Sequence, residues 1–311
     1  MLASIIKVTG YNPFKALMLR EYWENRRAIF TTPLVITALS MGLIIIGMGI
    51  FGRSIHINGE SLTLSEVISN MSDQEAQGIK EGVNHLLLAS TAPIMIGVWF
   101  CMVFTALGSL YDERKDSSIL FWKSMPVSDL QTVLSKLLTV TLVIPMVAIG
   151  FGLIFQIFLL IVGSFATIGT DHSAWDLLWT QMNLPALVLN EILYIIMFSL
   201  WALPVFAWFM LSSVIAKRTP LLVATIPVAL VALFEGLFLH SRHLIEFVGL
   251  RMTGAHIMGG ENGFSGNFIV FNPQSTLDIT RSISDPALWV GFGIAAALLY
   301  ATILLRKRNV L

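Results

Sequence analysis

The residues best able to do chemistry are ionisable groups inside apolar runs, because burying a charge in hydrocarbon costs several kcal/mol and rarely persists without a use. Glu235 lies within Leu221–Leu239, ~21 Å from the start of that run at 1.5 Å per residue. Such a depth demands a partner, a cavity or a proton, and makes Glu235 the candidate for translocation or gating. Glu191 begins a longer run, Leu184–Ala216, and is expected to reach water as a carboxylate near a helix end. His240, His243 and Glu246 recur every three residues, a spacing that could line metal ligands along a helix face, but no fourth ligand accompanies them and interfacial histidines are the expectation. His256 and Ser265 could act as base and nucleophile of an intramembrane hydrolase. They fall close together in one Gly-rich polar loop, however, whereas a buried pair needs two separate spans. The single cysteine, Cys101, excludes an internal disulfide and nearly excludes a cysteine-based zinc site. No Gly-x-x-x-x-Gly-Lys-Ser/Thr loop occurs, so ATP is not expected to bind this chain in that way.

The elements that must position these groups are apolar helices. Of 311 residues, 56% are hydrophobic and 12% charged, against about 25% charged in soluble domains. Six runs are long enough for a hydrocarbon layer that takes about 20 residues to cross: Leu34–Phe51, Leu86–Leu110, Leu137–Ser164, Leu184–Ala216, Leu221–Leu239 and Ala287–Leu305. The fourth must overhang or bend, and Pro204 near its middle offers the place. No cleavable signal is expected, because the first long apolar run begins only at Leu34, behind a charged segment. Lys and Arg concentrate on one side of these spans: only Arg53, Lys80, Arg242, Arg251 and Arg281 fall on the other, so the first side is expected to be cytoplasmic. Lys+Arg and Asp+Glu balance at 19 each, and no nucleic-acid partner is expected.

The expected fold is therefore an all-α membrane protein with six transmembrane helices and both termini cytoplasmic. Residues 1–31 read as an amphipathic interfacial helix, started by Asn12-Pro13 and carrying Arg20, Glu21 and Arg26, which lies along the membrane with its basic side toward lipid headgroups. Its alternative is a basic flank that only fixes topology. Residues 32–311 form the six-helix transmembrane domain, with a cytoplasmic loop at 111–136 and an outer loop at 240–286. Ser284-Asp285-Pro286 supplies a cap for the last span, and Gly291, Gly293 and Ala295–Ala297 allow it to pack closely.

The cytoplasmic loop Tyr111–Ser128 has the clearest local grammar. Ser117 or Ser118 can cap a short helix carrying Ile119, Leu120 and Trp122; Pro126 ends it; Ser128 with Gln131 makes a capping box for the next helix. Exposed Leu, Phe and Trp between charges of both signs suit docking onto another protein, with a helix lying on the membrane surface as the alternative.

This loop resembles the first cytoplasmic loop of ABC-2-type permeases, the membrane subunits of one class of ABC transporters. There a Glu-Arg pair, a small residue with Thr or Ser, leucines and a Pro-Val/Ile-Ser end form the coupling helix that contacts the ATPase. Glu113-Arg114, Ser117-Ser118, Leu120 and Met125-Pro126-Val127-Ser128 follow that order, with Ser117 standing where the family commonly has Gly, and Trp122 is expected to join them in docking. Leu19–Arg26 resembles the family's interfacial helix, and Leu200–Pro204 through Ala216–Pro220 its fourth span and following turn. The resemblance implies a permease, itself no enzyme and without a cofactor, that couples ATP and Mg on a separate ATPase subunit to substrate movement, with export the expected direction. It implies a second permease subunit, identical or not, membrane lipid around the pair, and residence in a bacterial cytoplasmic (inner) membrane. An intramembrane hydrolase and a non-transporting scaffold are the competing readings.

Overall fold

The computed structural model describes residues 13–51, 55–57, 60–62, 68–69, 71–125, 127–168, 170, 173–180, 182–253 and 283–308. His256, Ser265, Pro126 and most of the loop 240–286 lie outside them, as do residues 1–12 of the N-terminal segment.

Among the described residues six helices are long and apolar enough to cross a membrane, at Arg27–Gly49, Gly82–Gly108, Asp129–Ala166, Trp175–Ile215, Pro220–Leu239 and Pro286–Arg308. Each overlaps one of the six expected runs, and the chain is an integral membrane protein. In chain order, α1 (Pro13–Glu24) passes through a π-helical turn, Arg27–Thr31, into α2 (Thr32–Phe51). A hairpin of β1 (Ile55–Ile57) and β2 (Glu60–Leu62) follows, pairing Ile55 with Leu62 and Ile57 with Glu60. It departs from the all-helical expectation, and the Asn58-Gly59 pair between the strands is the sequence favoured for two-residue hairpin connections. Next come α3 (Asp73–Ser90), α4 (Ala92–Gly108), α5 (Tyr111–Lys115), α6 (Ile119–Ser124) and α7 (Asp129–Leu138). A π turn at Thr139–Val143 joins α7 to α8 (Ile144–Ala166), and another at Trp175–Trp179 precedes α9 (Leu184–Ile215). The last elements are α10 (Pro220–Phe234) with a terminal π turn Glu235–Leu239, α11 (His243–Thr253) and α12 (Pro286–Arg308).

α9 is the axis of the bundle. In the most apolar stretch of its span 61% is buried, against 17% and 11% in those of α2 and α10, and its longest contact runs along α12. Trp201, Phe206 and Met210 of α9 join Ile94, Val98 and Met102 of α4 and Val140, Ile144 and Phe155 of the third span in one core. A second cluster, Val83, Leu87, Leu88, Leu160 and Leu187, gathers α3, α8 and the start of α9 at one end. At 32 residues α9 is about 48 Å long, so it overhangs, and it keeps Pro204 inside a continuous helix.

Polar side chains repair the backbone where proline interrupts it. Pro145 cannot donate to the carbonyl of Thr141, and the Ser199 hydroxyl of α9 donates to that oxygen instead. Indole nitrogens pin neighbouring helices in the same way: Trp208 donates to the Ala224 carbonyl at 3.0 Å, and Trp99 to the Met252 carbonyl at 3.2 Å.

Candidate functional site

One end of the bundle carries a buried ion-pair cluster that ties four segments together. Its hub is Glu113 on α5, 5% exposed. Glu113 Oε1 accepts from Arg20 Nη2 of α1 at 2.6 Å and lies 3.2 Å from Lys136 Nζ of α7; its Oε2 accepts from Arg306 Nη2 of α12 at 3.1 Å. Lys136 also reaches Glu21 Oε1 at 3.0 Å, Arg306 reaches Asp129 at 3.2 Å, and Arg20 donates to Glu24 at 2.7 Å. Three cations thus face four carboxylates, of which Glu113 and Glu21 are buried, Asp129 is partly exposed and Glu24 is exposed. Burial alone pushes the Glu113 carboxyl up, but Lys136, Arg306 and Arg20 outweigh it and hold the group below the usual carboxylate range. For Glu21 burial prevails over the attraction of Lys136 and the carboxyl is raised.

Arg114, the other half of the Glu-Arg pair, faces a different neighbour. Its Nη2 donates to the carbonyls of Ser213 and Ala216 at 2.6 and 2.8 Å, capping orphan acceptors at the C-terminus of α9. Ser213 Oγ accepts in return from the backbone N–H groups of Leu110 and Tyr111 at 3.0 and 2.9 Å. The start of α5 is thereby clamped to the longest helix of the bundle.

On this platform stands α6. Ile119 turns inward, 2% exposed, while Leu120 is 49%, Phe121 59% and Met125 38% exposed. Trp122 is half-buried with the Arg20 guanidinium 3.6 Å over its ring, and Phe121 meets it edge to face. Lys123 donates to the Arg306 carbonyl at 3.0 Å, so α6 also touches the end of α12. A cleft of about 200 Å³ opens beside Trp122, between Lys123, Asp129, Arg306 and Lys307. Met125 is extended at φ −79°, ψ 149°, as the residue before a proline must be, and the Ser128–Gln131 capping box forms with both bonds at 3.1 Å. Neither serine caps α6 through its side chain; Ser118 Oγ instead donates to the Glu113 carbonyl at 3.3 Å.

The turn between α5 and α6 is made by Ser117 at φ 56°, a left-handed conformation. Holding a side chain there costs about 1–2 kcal/mol, which glycine avoids. Ser117→Gly is therefore expected to raise stability by up to about 1 kcal/mol after its larger unfolded-state entropy is subtracted, read as a higher thermal midpoint of the purified protein.

The structure thus separates residues that looked alike in the sequence. Leu120 and Met125 are displayed, with Phe121 between them; Glu113, Arg114 and Trp122 are turned inward and hold the loop. Arg20 and Glu21 do not offer themselves to headgroups but enter the ion-pair cluster, because α1 packs on α7 through Leu17 and Glu21. Arg26 remains exposed, with its guanidinium 5.9 Å from the Trp23 ring. Glu235 is only 8% exposed and caps α11: it accepts from the N–H groups of His243 and Leu244 at 2.7 and 3.0 Å and from Ser241 Oγ at 2.8 Å. Its carboxylate faces the positive end of that helix, an anchoring geometry. Glu191 departs from the expected wet helix end: it is 5% exposed, because α3 and α8 pack over the start of α9, and Gln156 Nε2 donates to it at 2.9 Å. Among the described residues no three His, Cys, Asp or Glu side chains are grouped to hold a metal ion. Comparison with protein-family models, curated proteins and solved structures returned no match.

Proposed function

We propose that this chain is the permease subunit of an ATP-driven transporter of the ABC-2 type, in which α6 docks onto a separate ATPase subunit. The observation that carries the reading is α6 itself: the apolar side chains of Leu120 and Phe121, and of Met125 just past its last turn, are exposed on a helix too short to be stable alone yet braced from beneath by buried charge. An exposed apolar knob with a rigid base is what a protein partner can grip and push.

Three further features support it. The left-handed turn at Ser117 occupies the position where the resembling coupling loops commonly have glycine, the residue such a turn favours. Lys123, Lys217, Arg218, Arg306, Lys307 and Arg308 gather with α6 at the ends of α9, α10 and α12, which agrees with a cytoplasmic placement of that end and of both termini. α1 turns Leu19 and Trp23 outward beside Arg26 and Arg27, a composition suited to the lipid interface. In this reading, closure of two ATPases around ATP displaces α6. The Glu113 hub passes the displacement to α1, α7 and α12 together, so that a whole bundle rocks against that of a second permease. The cargo is not encoded in α6, and export is the expected direction.

The test is purification with a separately encoded ATPase bearing a phosphate loop. Leu120→Glu or Phe121→Glu is expected to weaken that complex by about 2 kcal/mol or more, some thirtyfold, while leaving the thermal midpoint of the permease alone unchanged. Failure of any such ATPase to associate, or a complex indifferent to both substitutions, overturns the reading. A stable complex without ATP-dependent solute movement identifies a scaffold instead.

A further inference from the structure

Far from α6, inside the membrane-spanning part, two side chains leave their acceptors unmatched. Gln156 of α8 is fully buried and Glu191 of α9 is 5% exposed. Gln156 Nε2 donates to Glu191 Oε1 at 2.9 Å and more weakly to the Leu87 carbonyl at 3.4 Å. The other oxygen of each group, Gln156 Oε1 and Glu191 Oε2, is buried without a hydrogen-bond partner. Gln156 lies ~15 Å from the end of α8 and Glu191 ~10 Å from the start of α9, counted at 1.5 Å per residue. Apolar residues enclose them: Leu160 is one turn on from Gln156, Leu187 one turn before Glu191, and both belong to the second cluster with Leu87.

Among the described residues no cation is paired with Glu191. The titratable groups on the packed elements are Asp73, Glu75, Lys80, Glu81 and His85 of α3, Asp176 of the preceding π turn, and Tyr194 one turn along α9. Among the described residues none of these is ion-paired with it; Lys80 lies two turns from Leu87. An ionised carboxylate here would meet hydrocarbon on most sides and a single amide N–H on the other, with two orphan acceptors remaining.

We propose that Glu191 and Gln156 form a proton-binding site, in which Glu191 takes a proton from water and, as the neutral acid, donates it through Oε2 to Gln156 Oε1. The acid and the amide then exchange one O–H···O and one N–H···O bond, and a single proton satisfies both orphan oxygens. This joins α8 to α9 by a reciprocal pair that exists only while the proton is held, so the contact between these helices responds to proton supply. The site is independent of the permease reading and of α6.

Infrared spectroscopy on the full-length protein in lipid nanodiscs at pH 7 tests this. The wild type is expected to show the carbonyl stretch of a protonated, hydrogen-bonded carboxylic acid, lost in Glu191→Gln and moved to higher frequency in Gln156→Leu, where the acid keeps its proton but loses its acceptor. Glu191→Gln is also expected to keep the wild-type melting midpoint, because its amide reproduces both bonds of the protonated acid. The proposal is overturned if Glu191→Gln leaves that band intact, if Gln156→Leu does not shift it (as when a water is the acceptor), or if Glu191→Gln melts well below wild type, as an ionised and paired Glu191 would require.

Discussion

Glu113→Met is expected to lower the unfolding free energy by about 3–5 kcal/mol, the range for removing one partner of a buried charge network. The substitution keeps most of the side chain's volume, so the loss is electrostatic: Arg20, Lys136 and Arg306 would be left around an apolar group, with only Glu21, Glu24 and Asp129 to compensate. Reversible unfolding in mixed micelles measures it. The paired change Glu113→Met/Lys136→Met is expected to recover part of the loss, because it removes the most deeply buried cation along with its acid; Lys136 is 3% exposed. A single variant as stable as wild type would mean that water reaches the cluster and screens it. The same hub sets a pH dependence. Glu113 is held below the ordinary carboxylate range, so its contribution is complete only above about pH 5, past the unfolded-state value, and is lost as pH falls through its lowered value. Glu21, raised by burial, acts with the opposite sign: its ionisation becomes unfavourable to the fold as pH rises through its own value. Neutral pH therefore holds the full Glu113 contribution, with that of Glu21 opposing it.

What a sequence can disclose about this molecule depends on the range of the interaction. The six spans were legible because about 20 consecutive apolar residues have one meaning in water and lipid, and that meaning needs no partner. The Ser128–Gln131 box, the extended Met125 and the short helix with Leu120 and Phe121 were legible because each is decided within a few residues. Glu113 was not. In the run Tyr111–Asp116 five of the six residues are charged, a five-residue helix fixes no strong periodicity, and the partners Arg20 and Arg306 lie 93 and 193 positions away. The orientation rule did place Arg20, Glu113, Lys136 and Arg306 on one side of the membrane, and that coincidence was the available signal. For Glu191 the signal was on another helix: Gln156 is a lone amide in the apolar run of α8, and an amide there needs a partner. The Asn58-Gly59 pair announced a hairpin that a search for apolar helices passes over. The charge at Arg251 was read only as one of the few cations outside the basic side, which misses what it does.

Gly291→Val is expected to destabilise the bundle by about 1–3 kcal/mol, because Arg251 occupies the place a side chain would need. A Cβ on Gly291 would stand 2.6 Å from Arg251 Nη2, inside any real contact distance. That guanidinium cannot readily move away. It is 2% exposed, donates to the carbonyls of Trp201 on α9 and Ala287 on α12, and lies between the rings of Trp201 and Phe247 at 5.2 and 4.5 Å. Pro204 removes the donor for the neighbouring Leu200 carbonyl, so α9 is locally short of hydrogen bonds where Arg251 enters. The glycine therefore serves a different purpose from close helix packing: it admits the arginine that fastens α11 to both α9 and α12. Arg251→Met should cost about 3–5 kcal/mol on its own, since two buried charge-assisted hydrogen bonds and a cation–π contact go with it. In that background Gly291→Val is expected to cost much less than in the wild type, since an unbranched thioether can yield where a clamped guanidinium cannot. A double-mutant cycle on thermal or micelle unfolding reads the coupling directly. Strict additivity of the two substitutions would show that Gly291 is required for some neighbour other than Arg251.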